Sequence, residues 1–85
     1  MIDEIKELVK MKRAAIGTKE TLRLLKEGKV KRVFVTSNCP KDIRESVQHY
    51  ADLCGASVEE LPIPNDELGV VCRKQFSISV LAERR

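Results

Sequence analysis

Aromatic side chains are nearly absent from this sequence: only Phe34, Tyr50 and Phe76 occur, and there is no tryptophan. Its core must therefore be built mainly from Ile, Leu and Val. Histidine occurs once, as His49. It lies mid-helix, with no nucleophile or carboxylate at a telling spacing, and reads as a surface residue rather than a catalytic base. The cysteines Cys39, Cys54 and Cys72 are odd in number, widely spaced and free of any C-x-x-C pair. That pattern argues against a disulfide framework or zinc site and fits free thiols in a reducing compartment. No apolar run approaches the ~20 residues that span a bilayer. The acidic start Met1-Ile2-Asp3-Glu4 lacks the basic region and apolar block of a secretion signal. A cytoplasmic protein with no membrane partner is expected. No phosphate-loop, dinucleotide-binding or nucleophile-elbow motif occurs. The acidic pairs Glu59-Glu60 and Asp66-Glu67 are not spaced as metal ligands. We therefore expect no enzyme, no metal and no cofactor.

What is present is charge, unevenly distributed. The 85 residues carry a net +3. Residues 1–35 hold ten Lys/Arg against five Asp/Glu, residues 36–72 hold two against seven, and residues 73–85 hold four against one. If the fold brings the two basic ends together, one face becomes positive and suits a polyanion. A length of 85 residues fits one domain, residues 1–85, with a modest core and little room for a deep enclosed site. There is no internal repeat, linker or low-complexity stretch.

Hydrophobic periodicity predicts eight alternating elements. Residues 2–12 read as a helix with Ile2, Ile5, Leu8 and Val9 on one face. Ala14-Ala15-Ile16 reads as a short strand broken by Gly17. Thr18 is a good N-cap for a helix over 19–27, with Leu22 and Leu25 inward and Gly28 as the stop. Residues 32–36 read as a buried strand. Residues 40–54 read as a helix with Pro40 in its first turn and Gly55 at its end. Residues 57–61 form a third strand. Asn65 caps a short helix over 66–72, where Asp66 and Glu67 oppose the positive end of the dipole. Residues 77–82 form the last strand. Strict alternation of this kind predicts an α/β fold: a three-layer α/β/α sandwich around a small four-stranded mixed sheet.

Two segments can carry function. In the first, a strand ends at Gly17 and a helix starts at once. Backbone N–H groups at a helix start are unpaired and face a favourable dipole for anions. Gly17 has no Cβ, so a sugar-phosphate backbone or base edge can approach closely. Lys19 and Arg23 share one helix face, and both suit guanine O6 and N7. Glu20 can accept from an exocyclic amine. The second segment, Arg73-Lys74-Gln75-Phe76-Ser77, offers two cations, an amide and a surface for stacking an unpaired base. Sequence leaves open whether Phe76 lies outside or folds into the core. Turns between strands and helices recur at the same sheet edges, so both segments can form one site.

These residues carry a resemblance. Gly17-Thr18-Lys19-Glu20-Thr21-Leu22-Arg23-Leu24-Leu25-Lys26-Glu27-Gly28, followed by Val33-Phe34-Val35, resembles the signature of the superfamily of ribosomal proteins L7Ae and L30e. Asn38-Cys39-Pro40 with Tyr50-Ala51, and Glu67-Leu68-Gly69 before an apolar stretch and a loop, are similar to the L30e branch. The resemblance spans Ile2 to Ala82. It implies an α/β/α sandwich that binds kink-turn RNA, a duplex sharply bent by an internal loop with tandem G·A pairs and a splayed base. Residue by residue, it implies that Gly17, Thr18, Lys19, Glu20 and Arg23 enter the widened groove, and that Lys74, Gln75, Phe76 and Ser77 hold the extruded base. Lys19-Glu20 stands where one branch has Asn-Glu, as in the L30e and small bacterial branches. Arg73 stands where glycine is common.

The expected function is recognition of kink-turn RNA by a ribosomal protein or a ribosome-associated paralogue. RNA and other ribonucleoprotein subunits would be the partners. Lys12, Arg13, Lys29, Lys31 and Arg32 would add salt-dependent phosphate contacts. The alternative is a protein-interaction module on the same fold, with the acidic residues 41–67 as its contact face.

Overall fold

In a computed structural model, which describes residues 2–85, the helices are α1 (Ile2–Lys10), α2 (Thr18–Lys26), α3 (Lys41–Cys54) and α4 (Asn65–Val71). They alternate with strands β1 (Ala14–Ile16), β2 (Val30–Val35), β3 (Ser57–Glu60) and β4 (Val80–Arg84). The alternation read from periodicity is the alternation found. The strand order is β1-β4-β2-β3. β2 and β3 are parallel, linked by the α3 crossover, and β4 lies antiparallel to both β1 and β2. The chain is an α/β protein with a mixed sheet.

The sheet divides the core into two layers of apolar contact. On one side, Leu24 and Leu25 of α2 and Val47 and Ala51 of α3 pack on Ala15, Val33, Val35, Val80 and Ala82. On the other, Ile5 and Leu8 of α1 and Leu68 of α4 pack on Phe34, Leu81 and Ile78. Val33–Val35 of β2 and Val80–Ala82 of β4 are buried between the two layers, which explains why each is a continuous apolar run. In α2 the buried partner of Leu25 is Leu24, while Leu22 is only half-buried.

Several expected boundaries move: β2 spans Val30–Val35 rather than 32–36, and Pro40 caps α3 rather than lying in its first turn. The first helix ends at Lys10 rather than 12, because Lys12 turns left-handed at φ 58°. Gly17, not Thr18, is the cap of α2, and Thr18 is its first helical residue. Pro64, not Asn65, precedes α4, because the Asn65 side chain is engaged elsewhere. The last strand forms over Val80–Arg84, not 77–82. Glu83 pairs there with Ala14, and Arg84 with Val30. Ser77 to Ser79 are left to the preceding loop.

Candidate nucleic-acid interface

The opening of α2 is built around Gly17, at φ 101° and ψ 158°, a region almost closed to residues with a Cβ. A Cβ added there would meet nothing within 4 Å, so the need for glycine is conformational and the space beside it is open. The Gly17 N–H donates to the Val80 carbonyl at 3.0 Å, and the Gly17 carbonyl accepts the first helical bond from Thr21 at 3.1 Å. No side chain caps the helix. The N–H groups of Thr18, Lys19 and Glu20 precede that first bond and are left without a helical acceptor. They are donors at the positive end of a helix of nine residues, an arrangement suited to anionic or carbonyl-rich ligands.

Lys19 is exposed and makes no ion pair among the described residues. Arg23, one turn later, is already engaged. Its guanidinium forks onto both oxygens of Glu20 and reaches Glu27 at 3.0 Å. The hydrogen bond from Arg23 is the main reason the Glu20 carboxyl lies below the ordinary carboxylate range. Glu27 is lowered chiefly by its hydrogen bond from Lys29. All these groups face solvent, so each pair contributes little to stability. An incoming ligand can therefore exchange partners with Arg23 at small cost.

The second segment is exposed from Arg73 through Ser77, and Phe76 is on the surface at 55 % exposure. Both ends are fixed. At the start, the Arg73 N–H bonds the Val70 carbonyl and the Lys74 N–H bonds the Gly69 carbonyl, both at 2.9 Å. With Arg73 at φ 58°, this is the helix-ending motif that usually takes glycine at the left-handed position. At the far end, Ile78 is buried and its N–H bonds the Asn65 carbonyl at 3.0 Å. The Asn65 amide donates to the Ser79 hydroxyl at 3.3 Å, and its backbone N–H donates to the Asn38 side chain at 2.9 Å. Asn38, Asn65 and Ser79 thus hold the loop exit. Sequence alone presents Asn65 as a helix cap and does not reveal these roles.

Gly17 bonds Val80, the first residue of β4, three residues beyond the end of the loop at Ser77, so the loop leads into the end of the β1–β4 pair at which Gly17 lies. The expected phosphate set is elsewhere. β1 leads from Arg13, just before it, to Gly17, just after it, and β4 runs antiparallel from Val80 to Arg84, whose N–H bonds the Arg13 carbonyl at 2.9 Å. Lys29 sits beside Arg85 at that same far end. Lys12, Arg13, Lys29 and Lys31 therefore border the opposite end of the sheet, with Arg13 about 13 Å along the strand from Gly17 at strand spacing. The cations of the chain's two basic ends are therefore divided between the ends of the sheet: Arg84 and Arg85 lie with Arg13 and Lys29, away from Gly17.

Arg32 leaves the phosphate set for a different reason. Its guanidinium is held by Glu83 at 2.6 Å, Glu4 at 2.8 Å and Glu59 at 3.7 Å. It also lies 5.2 Å from the centre of the Phe34 ring. The bond to Glu83 is the largest cause of its raised pKa. Arg32 is a tie between α1 and three strands, not a free cation.

The profile of the ribosomal protein L7Ae/L30e/S12e/Gadd45 family matches residues 1–85. Large ribosomal subunit protein eL30 of Methanopyrus kandleri is 35% identical over 79 residues, covering 93% of this chain and 72% of its own length. The eL30 protein of Methanocaldococcus jannaschii is 36% identical over 77 residues, covering 91% of this chain and 70% of its own. Among solved structures, the Giardia lamblia 15.5kD RNA binding protein superposes with a TM-score of 0.81 at 18% identity, covering 99% of this chain and 70% of that one. A Bacillus halodurans protein of unknown function superposes with a TM-score of 0.87 at 12% identity, covering 99% and 83%. A match along the whole chain, with archaeal eL30 proteins at this identity, makes the chain a member of the ribosomal protein L7Ae/L30e/S12e/Gadd45 family.

Proposed function

We propose that the protein binds kink-turn RNA, as a ribosomal protein or a ribosome-associated paralogue. One observation carries the proposal. The uncapped start of α2 and the exposed loop Arg73–Ser77 are tied to the same end of the sheet through the Gly17–Val80 hydrogen bond. The names of the relatives support it, since they are large-subunit ribosomal proteins.

The chemistry follows from the geometry. A continuous duplex hides its base edges in a groove too narrow for a helix end, whereas a sharp bend widens that groove. The N–H groups of Thr18 and Lys19 then approach backbone oxygens past the bare Gly17. Lys19 reaches guanine acceptors, and Glu20 accepts from an amine. Arg23 exchanges its carboxylates for RNA. Across the site, Phe76 offers a face for the splayed base, flanked by Lys74, Gln75 and Ser77. The protein selects the bent state because only that state meets both segments. A stem leaving the bend along the sheet would reach Lys12, Arg13, Lys29 and Lys31 at the far end and add salt-dependent affinity.

Binding of a folded kink-turn and of a plain duplex of equal length, titrated at one fixed salt concentration, tests the proposal. The kink-turn should bind by far the tighter. Lys19→Ala and Phe76→Ala should each cost about 1–3 kcal/mol of that preference while leaving the fold intact. Equal affinity for the two RNAs would refute it.

A further inference from the structure

α1 separates its charges. Glu4 and Glu7 border a cleft with Lys31 and Arg32, while Lys6 and Lys10, with Val9 between them in space, face α4. Between α1 and α4 lies an open groove of about 550 Å³, lined by Val9, Val70, Val71, Lys6, Lys10 and Arg73. Its lining is three valines and three cations, with no carboxylate among them. None of the three cations makes an ion pair among the described residues, whereas Arg23, Arg32 and Arg44 are all paired. Val70 is 74 % exposed.

Helix stability does not account for this surface. Valine is a poor helix former, yet Val70 and Val71 are adjacent in a helix of only seven residues. The core accounts for only part of it: Val9 and Val71 pack partly against the core, which takes Leu68 and Cys72 from α4, whereas Val70 is left outside. A phosphate backbone would use the cations but gain nothing from the valines. A peptide that sets an aliphatic side chain among carboxylates uses both.

We propose that the α1–α4 groove docks an acidic peptide segment of a partner protein, anchored by apolar side chains on Val9, Val70 and Val71. Carboxylates of the segment pair with Lys6, Lys10 and Arg73, and aliphatic groups cover the valines. The site does not depend on the RNA proposal. It borders the RNA loop only at Arg73, so a partner seated here would lie beside bound RNA. The protein-interaction surface then falls on a basic groove of α1 and α4 rather than on the acidic residues 41–67.

The test is an amide-shift titration of the labelled full chain with a synthetic helical peptide carrying leucines at i and i+4 among glutamates. Shifts should centre on Lys6, Val9, Lys10, Val70 and Val71. The same peptide with glutamine for every glutamate should bind about tenfold more weakly. Val70→Ser should weaken the glutamate peptide several-fold and leave kink-turn RNA affinity unchanged. The double variant Lys6→Glu/Lys10→Glu should reject that peptide and accept a lysine-for-glutamate version, a reversal that loss of fold cannot produce. Absence of shifts with the glutamate peptide, or shifts centred elsewhere, would overturn the proposal. So would a plain RNA duplex that moves the same amides together with an RNA affinity that falls in Val70→Ser, which would give the face to RNA.

Discussion

Gly69 of α4 lies so close to Phe76 that a Cβ on Gly69 would collide with the Phe76 carbonyl oxygen. The obstacle is backbone, so no side-chain rotation relieves it. In an exposed helix interior, Gly→Ala ordinarily stabilises by about 1 kcal/mol. Here the sign should reverse. Gly69→Ala should destabilise by about 1–3 kcal/mol in urea unfolding or push the Arg73–Ser77 loop out of place. A variant that gains stability and keeps its RNA affinity would show that the contact is dispensable.

Gly17 makes the opposite case. A Cβ there meets nothing, but φ is 101°. Gly17→Ala should cost about 1–3 kcal/mol of stability from backbone strain alone. If the helix start shifts to relieve that strain, the Val80 bond and the three free N–H groups move with it. RNA affinity should then fall by more than stability does, which parallel unfolding and binding curves would reveal.

Arg32→Ala discriminates a structural cation from a ligand-binding one. It leaves the largely buried Glu83 carboxylate without its nearest partner, at 12% side-chain exposure. Losing a charge-assisted, partly buried contact should cost about 1–3 kcal/mol of stability. The RNA affinity of the folded fraction and its salt slope should be nearly unchanged. A drop of about one in the salt slope would place Arg32 among the phosphate contacts after all.

The Glu20–Arg23–Glu27 cluster predicts a pH effect of definite sign. Both carboxyls lie below their ordinary 4.5 in the folded chain. Their contribution is therefore complete above that value and is lost as pH falls through the lowered folded values. Melting temperatures of the protein and of Arg23→Ala should differ at neutral pH and converge in acid. Because the groups face solvent, high salt should shrink the neutral-pH difference as well.

Much of the fold was legible in the sequence. The eight elements followed from apolar spacing, because a helix and a strand bury one face at different periods. Gly28 and Gly55 marked the ends of α2 and α3 as expected, with positive φ at both. Caps were less legible. Thr18 and Asn65 have capping chemistry, but the cap is fixed by where the preceding chain arrives. Gly17 is held by Val80, and Asn65 is engaged by Asn38 and Ser79. A glycine inside a helix pattern, as at Gly69, signals close backbone approach. It could have pointed to the Phe76 contact, though not to which residue it meets.

The sequence by itself determined the family, the α/β order and the two segments on which RNA binding is proposed, because local periodicity and motif spacing are properties of the chain alone. Only the tertiary structure decided which cations are free. Arg32 is enclosed by carboxylates from α1, β3 and β4, and Lys12 and Arg13 stand at the opposite end of the sheet from Gly17. Strand pairing sets those neighbours across dozens of residues. A charge count along the chain cannot foresee them, since electrostatic partners are chosen by distance in space.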